Sequence, residues 1–163
     1  MIKKYNEYLK EALKETSDGI FWGNIAGGVL PICTTTGRIL MPYRSAQVEQ
    51  PHTWGVWGGK IDEEDGEVQS EIETAVIREF EEEADYSDEI ELIPSYIFRT
   101  SDGNFTYYNF IGLLDEEFEP SLDWETENYK WMTLDELMEL EPKHFGLIKL
   151  LENDIETIKK YTS

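Results

Sequence analysis

The chain has 163 residues, with 14 Lys and Arg against 35 Asp and Glu, and a formal net charge of −21. Such a field repels nucleic-acid backbones and anionic lipid surfaces, which argues against broad electrostatic binding to either. A single cysteine, Cys33, rules out an internal disulfide framework and a Cys-based zinc cluster.

The composition, 40% hydrophobic and 13% aromatic, is enough for a packed globule. The length fits one domain, expected to run over 1–163. No apolar run approaches the roughly 18 residues of a membrane span. The polar start Met1-Ile2-Lys3-Lys4-Tyr5-Asn6 lacks a signal-peptide apolar core, so a cytoplasmic protein is expected.

In chain order, Ile2, Tyr5, Tyr8, Leu9, Ala12 and Leu13 predict a helix over 2–15, ended by Asp18-Gly19. Residues 25–34 and 38–43 are β-rich runs separated by Thr35-Thr36-Gly37, a hairpin signal. Gly27-Gly28 points to close backbone packing in the first run. A loop with Pro42 and Pro51 leads into the Trp-rich Trp54-Gly55-Val56-Trp57-Gly58-Gly59. A helix is predicted over 70–84. Strands over 89–99 and 105–114 follow, joined by the turn Ser101-Asp102-Gly103-Asn104. Thr133-Leu134-Asp135-Glu136 has capping-box spacing and opens a short helix. Leu147, Leu150, Leu151, Ile155 and Ile158 mark a final amphipathic helix. Together these elements imply an α/β sandwich with a mixed sheet.

The acids are concentrated. Residues 62–91 hold fifteen of the 35, against one basic residue, Arg78. The ordinary meaning of a charge run is a solvated face. Spacing argues otherwise here. Glu79, Glu82 and Glu83 stand at i, i+3 and i+4, on one side of the helix, where like charges repel. Ile72, Ala75 and Val76 place the apolar stripe so that Glu79 and Glu83 border it, whereas Glu81 points outward. Aiming carboxylates at the protein body is costly unless a cation sits among them. Such an oxygen-rich group suits Mg²⁺ or Mn²⁺. Gly58-Gly59 lets backbone approach a ligand or metal closely, though most Gly-Gly pairs are simply turns.

These residues together resemble the Nudix hydrolase family, whose box runs G-x5-E-x7-R-E-U-x-E-E-x-G-U with U a bulky aliphatic residue. Arg78, Glu79, Phe80, Glu82 and Glu83 match its helical half, Gly59 its opening glycine, and Gly66-Glu67 the end of its loop. Gly37-Arg38-Ile39-Leu40-Met41 with Arg44, Thr53 to Lys60, and Trp131-Met132 before Leu134-Asp135-Glu136-Leu137 resemble its flanking segments, so that most of 25–140 is covered. The box, about 59–86, departs from the pattern: seven residues rather than five separate Gly59 from Glu67, and ten rather than seven separate Glu67 from Arg78. Asp85 replaces the family's glycine, at a position expected to be left-handed. Tyr86 takes the last aliphatic position.

The resemblance implies a Nudix-type α/β/α sandwich with the Nudix loop-helix, and water attack on a phosphorus of a diphosphate linkage. It implies Mg²⁺ (Mn²⁺ also suits) held by Glu79, Glu82, Glu83 and the Gly59 carbonyl. Arg78 would pair with Glu67 or Glu71 and orient Glu79; a surface pair with Glu82 is the plainer role. The general base stays open between Glu79 and the later acids Glu125 and Glu127, which could also be a further metal ligand. Arg44 and Lys60 are candidate phosphate contacts. Trp57, with Trp22, Trp54, Phe98 and Tyr107, could stack a base, although aromatics more often pack a core. The isomerase branch of the family needs a catalytic cysteine, which only Cys33 could be. His52 and His144 lack metal-ligand spacing. The expected substrate is a nucleoside diphosphate linked to another group, such as a dNTP, a nucleotide sugar or ADP-ribose, and a homodimer is common in the family. The alternative is a non-catalytic Nudix-fold module that engages a basic partner through its acidic surface. A Ca²⁺ loop is not indicated, because Asp62-Glu63-Glu64-Asp65-Gly66 lacks EF-hand alternation.

Overall fold

A computed structural model describes residues 24–61 and 69–163. The helix expected over 2–15, together with Trp22, Gly66 and Glu67, lies outside the described residues.

The sheet is built from β1 (Asn24–Cys33), β2 (Ile39–Arg44), β3 (Trp57–Ile61), β4 (Glu91–Arg99), β5 (Phe105–Leu114) and β6 (Thr126–Met132). Its order is β4-β5-β1-β2-β6, with β3 also on β1. β1 and β5 are parallel and the other pairs antiparallel, so the sheet is mixed as expected. Both predicted turns are present. Gly37, at φ 73°, closes β1 onto β2 with its N–H on the Cys33 carbonyl at 2.8 Å. Gly103, at φ 76°, lies between β4 and β5, where Asp102 accepts from Asn104 N–H and the Thr100 hydroxyl. Short polar side chains that hold their own backbone are why such residues mark turns.

β1 is shared along its length. Residues Ile25 to Val29 pair with β3, whereas Ile32 pairs with Ile39 of β2. The sheet therefore forks, with β2 on one side of the fork and Gly58-Gly59 on the other. The fork depends on glycine: a Cβ at Gly58 would stand 2.1 Å from the Gly27 carbonyl oxygen and 2.5 Å from the Gly28 Cα.

Helices cover both faces. α1 (Gln69–Ala84) lays Ile72, Ala75, Val76, Phe80 and Ala84 against Val29, Leu40, Trp57 and Phe110. α2 (Leu134–Glu139) and α3 (Phe145–Thr162) cover the other face, where Leu137, Leu147, Leu150 and Ile158 meet Leu30, Ile32, Ile39 and Ile111. The capping box is formed, Thr133 accepting from Glu136 N–H and Glu136 from Thr133 N–H. Asp85 ends α1 in the left-handed conformation, at φ 54°. Tyr86 then turns back into the core against Phe80 and Phe118, filling the place of the box's last aliphatic residue.

Candidate functional site

The apolar stripe of α1 fixes where its carboxylates go. With Phe80 and Ala84 facing the sheet, Glu79 is half-buried beside the stripe, Glu83 is 4% exposed, and Glu81 and Glu82 are in solvent. A carboxylate buried to that degree needs partners. Glu83 Oε2 accepts a hydrogen bond from Gly58 N–H at 3.0 Å. Glu125 is the acid that acts on it most strongly. Burial, then Glu125, Asp123 and Glu79, push the Glu83 carboxyl well above the usual carboxylate range.

Gly59 joins this group. A Cβ there would lie 3.8 Å from Glu79 Oε2, so the backbone at Gly59 faces Glu79 across the fork. Glu125 arrives from the turn that precedes β6. Its N–H is on Asp123 Oδ1 at 2.9 Å, and its carbonyl accepts Ser45 N–H at 3.0 Å. From β2 comes Arg44, whose Nε and Nη2 donate to the Glu49 carbonyl at 2.9 and 2.6 Å. Burial lowers the Arg44 pKa, and Tyr107, Glu83, Glu49 and Glu125 partly offset that. Arg44 thus brings a positive charge to a group of acids. His144, which lacked a role in the sequence reading, accepts Gly146 N–H on Nδ1 at 2.9 Å and caps α3. Burial first, and then Arg44, hold its pKa well below the usual imidazole range.

The donors that gather here are all oxygens, which fits a hard divalent cation rather than a soft one. Among the described residues no three acid, His or Cys side chains are close enough to hold a metal by themselves. Glu83 accepts Gly58 N–H, and Glu82 is exposed. Mg²⁺ keeps several waters and asks for only one or two carboxylates directly, so the donor set remains compatible with it.

Several sequence expectations fall elsewhere. Trp57, proposed as a substrate contact, is 1% exposed, packs edge-on to Phe80 and donates its indole N–H to the Leu40 carbonyl at 3.0 Å. It is a core residue, because β3 turns it toward α1. Glu127 does not join Glu83; it is exposed, with Oε2 3.4 Å from His52 Nε2. Lys60 and Arg78 are exposed on β3 and α1. Trp54 packs on Tyr43 and against the α3-side core, and Phe98 lies against Phe145. Cys33 is buried at the last position of β1, whereas Gly28 is mid-strand, about 16 Å away along the strand. That position removes the residue the isomerase branch would need. Glu125 was one of the two later acids named from the sequence, with no pattern to separate it from Glu127, and Asp123 was not named.

The NUDIX domain profile matches residues 24–153. The chain belongs to the NUDIX domain family. Enzymes of that family hydrolyse phosphoric anhydrides. No curated protein matches the sequence. Solved structures show the same fold. RenU, a Nudix hydrolase from M. smegmatis, is 18% identical over 85% of this chain and 86% of its own, with a TM-score of 0.65. The NUDIX domain of Shewanella oneidensis NrtR, in complex with ADP ribose, is 20% identical over 82% and 87%, with a TM-score of 0.60. The MutT NUDIX hydrolase of Burkholderia pseudomallei is 24% identical over 80% and 97%, with a TM-score of 0.58.

Proposed function

We propose that this NUDIX protein is a Mg²⁺-dependent pyrophosphatase that cleaves the diphosphate linkage of a nucleoside diphosphate joined to another group. The observation that carries the reading is the buried Glu83 carboxyl, which accepts Gly58 N–H at 3.0 Å while Glu125 and Glu79 oppose its charge. A fold that buries an acid among acids loses stability unless the arrangement serves a cation. A binding module with no cation to hold gains nothing from it.

The divalent ion would be held by Glu79, Glu82, Glu83 and the Gly59 carbonyl. When bound, it would neutralise the diphosphate and polarise the attacking water. Arg44, already beside Glu83 and Glu125, binds a phosphate oxygen, and Lys60 at the rim of β3 adds a second positive charge. Glu125 accepts the proton of the attacking water, because it faces Glu83 where Glu127 does not; Glu79 is the remaining candidate. Arg78 orients Glu79 from the outer side of α1 through Glu67 or Glu71. Water adds to phosphorus, the bridging oxygen leaves with the other phosphate, and the proton passes to a carboxylate.

The ADP ribose complex of the Shewanella oneidensis domain supports a nucleoside-diphosphate ligand for this fold. Among the described residues no helix is long and apolar enough to cross a membrane. A protein working in the cytoplasm on small molecules, and a homodimer, are part of the same reading. The test is a screen of dNTPs, ADP-ribose, NADH, nucleotide sugars and dinucleoside polyphosphates with Mg²⁺ or Mn²⁺. Turnover of at least one compound, lost with EDTA, is the expected result. Turnover of none overturns the hydrolase reading.

A further inference from the structure

Side chains alternate between the two faces of a strand, so Tyr107, Asn109 and Ile111 of β5 share one face. Ile111 belongs to the core under α2 and α3, and the Tyr107 ring packs against the same core. Packing fixes the ring and leaves the hydroxyl to be placed. It rests over a glycine of β1: a Cβ at Gly28 would collide with Tyr107 Oη, and would crowd a Val56 methyl at 2.7 Å and the Trp57 carbonyl oxygen at 3.0 Å. Gly28 is the residue that pairs with Gly58 across the fork, and Gly58 N–H is the donor to Glu83. The phenol therefore ends at the root of the fork.

A phenol hydroxyl inside a protein ordinarily finds a hydrogen-bond partner. Among the described residues none is bonded to Tyr107. Burial raises its pKa above the usual phenol value, with Arg44 lowering it and Glu83 raising it. The hydroxyl thus keeps its proton and lies within electrostatic reach of both. Arg44 feels the same neighbour, Tyr107 being the first of the charges that act on it. Asn109, opposite Gly28 in the β1–β5 register, is a second unsatisfied group on this face. Its Nδ2 donates to the Tyr96 carbonyl at 2.9 Å, while its buried Oδ1 has no partner among the described residues.

We infer that the Tyr107 hydroxyl donates a hydrogen bond to an oxygen of the substrate diphosphate and shares that anion with Arg44. This rests on the proposed hydrolase reading and adds a contact residue to it. Arg44 spends Nε and Nη2 on the Glu49 carbonyl, so it cannot offer a phosphate its full fork of donors. A neutral donor suits an acid-rich site, because it binds an anion without first pairing with Glu83 or Glu125, as a second cation would. Gly28 serves the same contact, since any side chain there would displace the phenol.

The test is calorimetric titration of the unmodified protein and of Tyr107→Phe with inorganic pyrophosphate in Mg²⁺, beside melting points and steady-state kinetics on the best substrate of the screen. Tyr107→Phe binds pyrophosphate about tenfold more weakly, the size of one hydrogen bond to a charged group, and its kcat/KM falls by a similar factor. Its melting point does not fall, because no hydrogen bond within the protein is lost. In protein labelled with 3-fluorotyrosine, the fluorine resonance missing from Tyr107→Phe moves on addition of pyrophosphate. Unchanged affinity in Tyr107→Phe, a resonance that stays in place, or no pyrophosphate binding by the unmodified protein overturns the inference, and turnover in the screen then leaves hydrolysis intact. A melting point lowered by more than a few degrees assigns the hydroxyl to the fold and also overturns it. Binding weakened in Tyr107→Phe without turnover of any compound upholds the contact and overturns the hydrolase reading.

Discussion

The carboxylate of Glu83 accepts the backbone N–H of Gly58 at 3.0 Å, which joins the end of the acidic helix to the point where the sheet forks. That directed hydrogen bond holds an acid at a depth where burial and the neighbouring acids Glu125, Asp123 and Glu79 all raise its pKa. Arg44 is the cation whose charge is felt there, through space.

One consequence is a separation of stability from function. Glu83→Gln keeps an oxygen for Gly58 N–H and gives Glu125 a donor, while removing a charge that burial and neighbouring acids oppose. The metal-free variant melts higher than the unmodified protein by about 2–4 °C, the shift that 1 kcal/mol produces in a chain of this length. Its kcat with Mg²⁺ falls by about 10²-fold or more. Calorimetry beside steady-state kinetics reads both, and a lower melting point would contradict the view of Glu83 as a strained acid.

Glu125 and Glu127 separate in the same way. Glu125→Gln lowers kcat by about 10²-fold, within the range of a lost general base. Glu127→Gln leaves kcat within about twofold, since its partner is the exposed His52. Equal losses in the two variants would put the base elsewhere.

The fork itself rests on Gly58. Gly58→Ala sets a methyl against the Gly27 carbonyl oxygen, with backbone on both sides and no side chain able to give way. The expected cost is about 3 kcal/mol or more, read as a shift of the urea midpoint. A variant as stable as the parent would mean the strands can separate there.

His144 gives the acid limb of the stability profile. Its folded pKa is depressed by burial and by Arg44, so the unfolded chain binds the proton more readily. Stability from this group is fully present above about pH 6.5, the ordinary imidazole value. It is lost as pH falls below that, down to the pKa of the folded state. His144→Asn, which can still cap α3, flattens melting point against pH between about 6.5 and 5. An unchanged slope would assign the acid limb to other groups.

Much of this was legible in the sequence. The i, i+3, i+4 acids and the stripe of Ile72, Ala75 and Val76 already aimed Glu79 and Glu83 inward, because helical period fixes facing. Thr133 and Glu136, Gly37 and Gly103 marked their own turns and caps by local chemistry. What was hidden depends on long-range pairing. β6 was not foreseen as a strand, since Glu127, Asn128 and Lys130 are exposed along an edge strand, on both of its faces, and interrupt the apolar alternation. For the same reason Glu125 and Glu127 were indistinguishable until the fork and the Ser45 contacts fixed the turn before β6. Trp57 and Trp124 invert the simplest guess about aromatics: the one beside the Gly-Gly pair is core, and the one in an acidic loop is in solvent.

The central claim, that the carboxylates at the end of α1 serve diphosphate hydrolysis, is tested most directly by one comparison. The turnover of the best substrate with Mg²⁺ is measured for the unmodified protein and for the Glu82→Gln, Glu83→Gln double variant, both shown to be folded by circular dichroism. The account predicts a loss of about 10³-fold or more in kcat. Equal turnover by the double variant would contradict it.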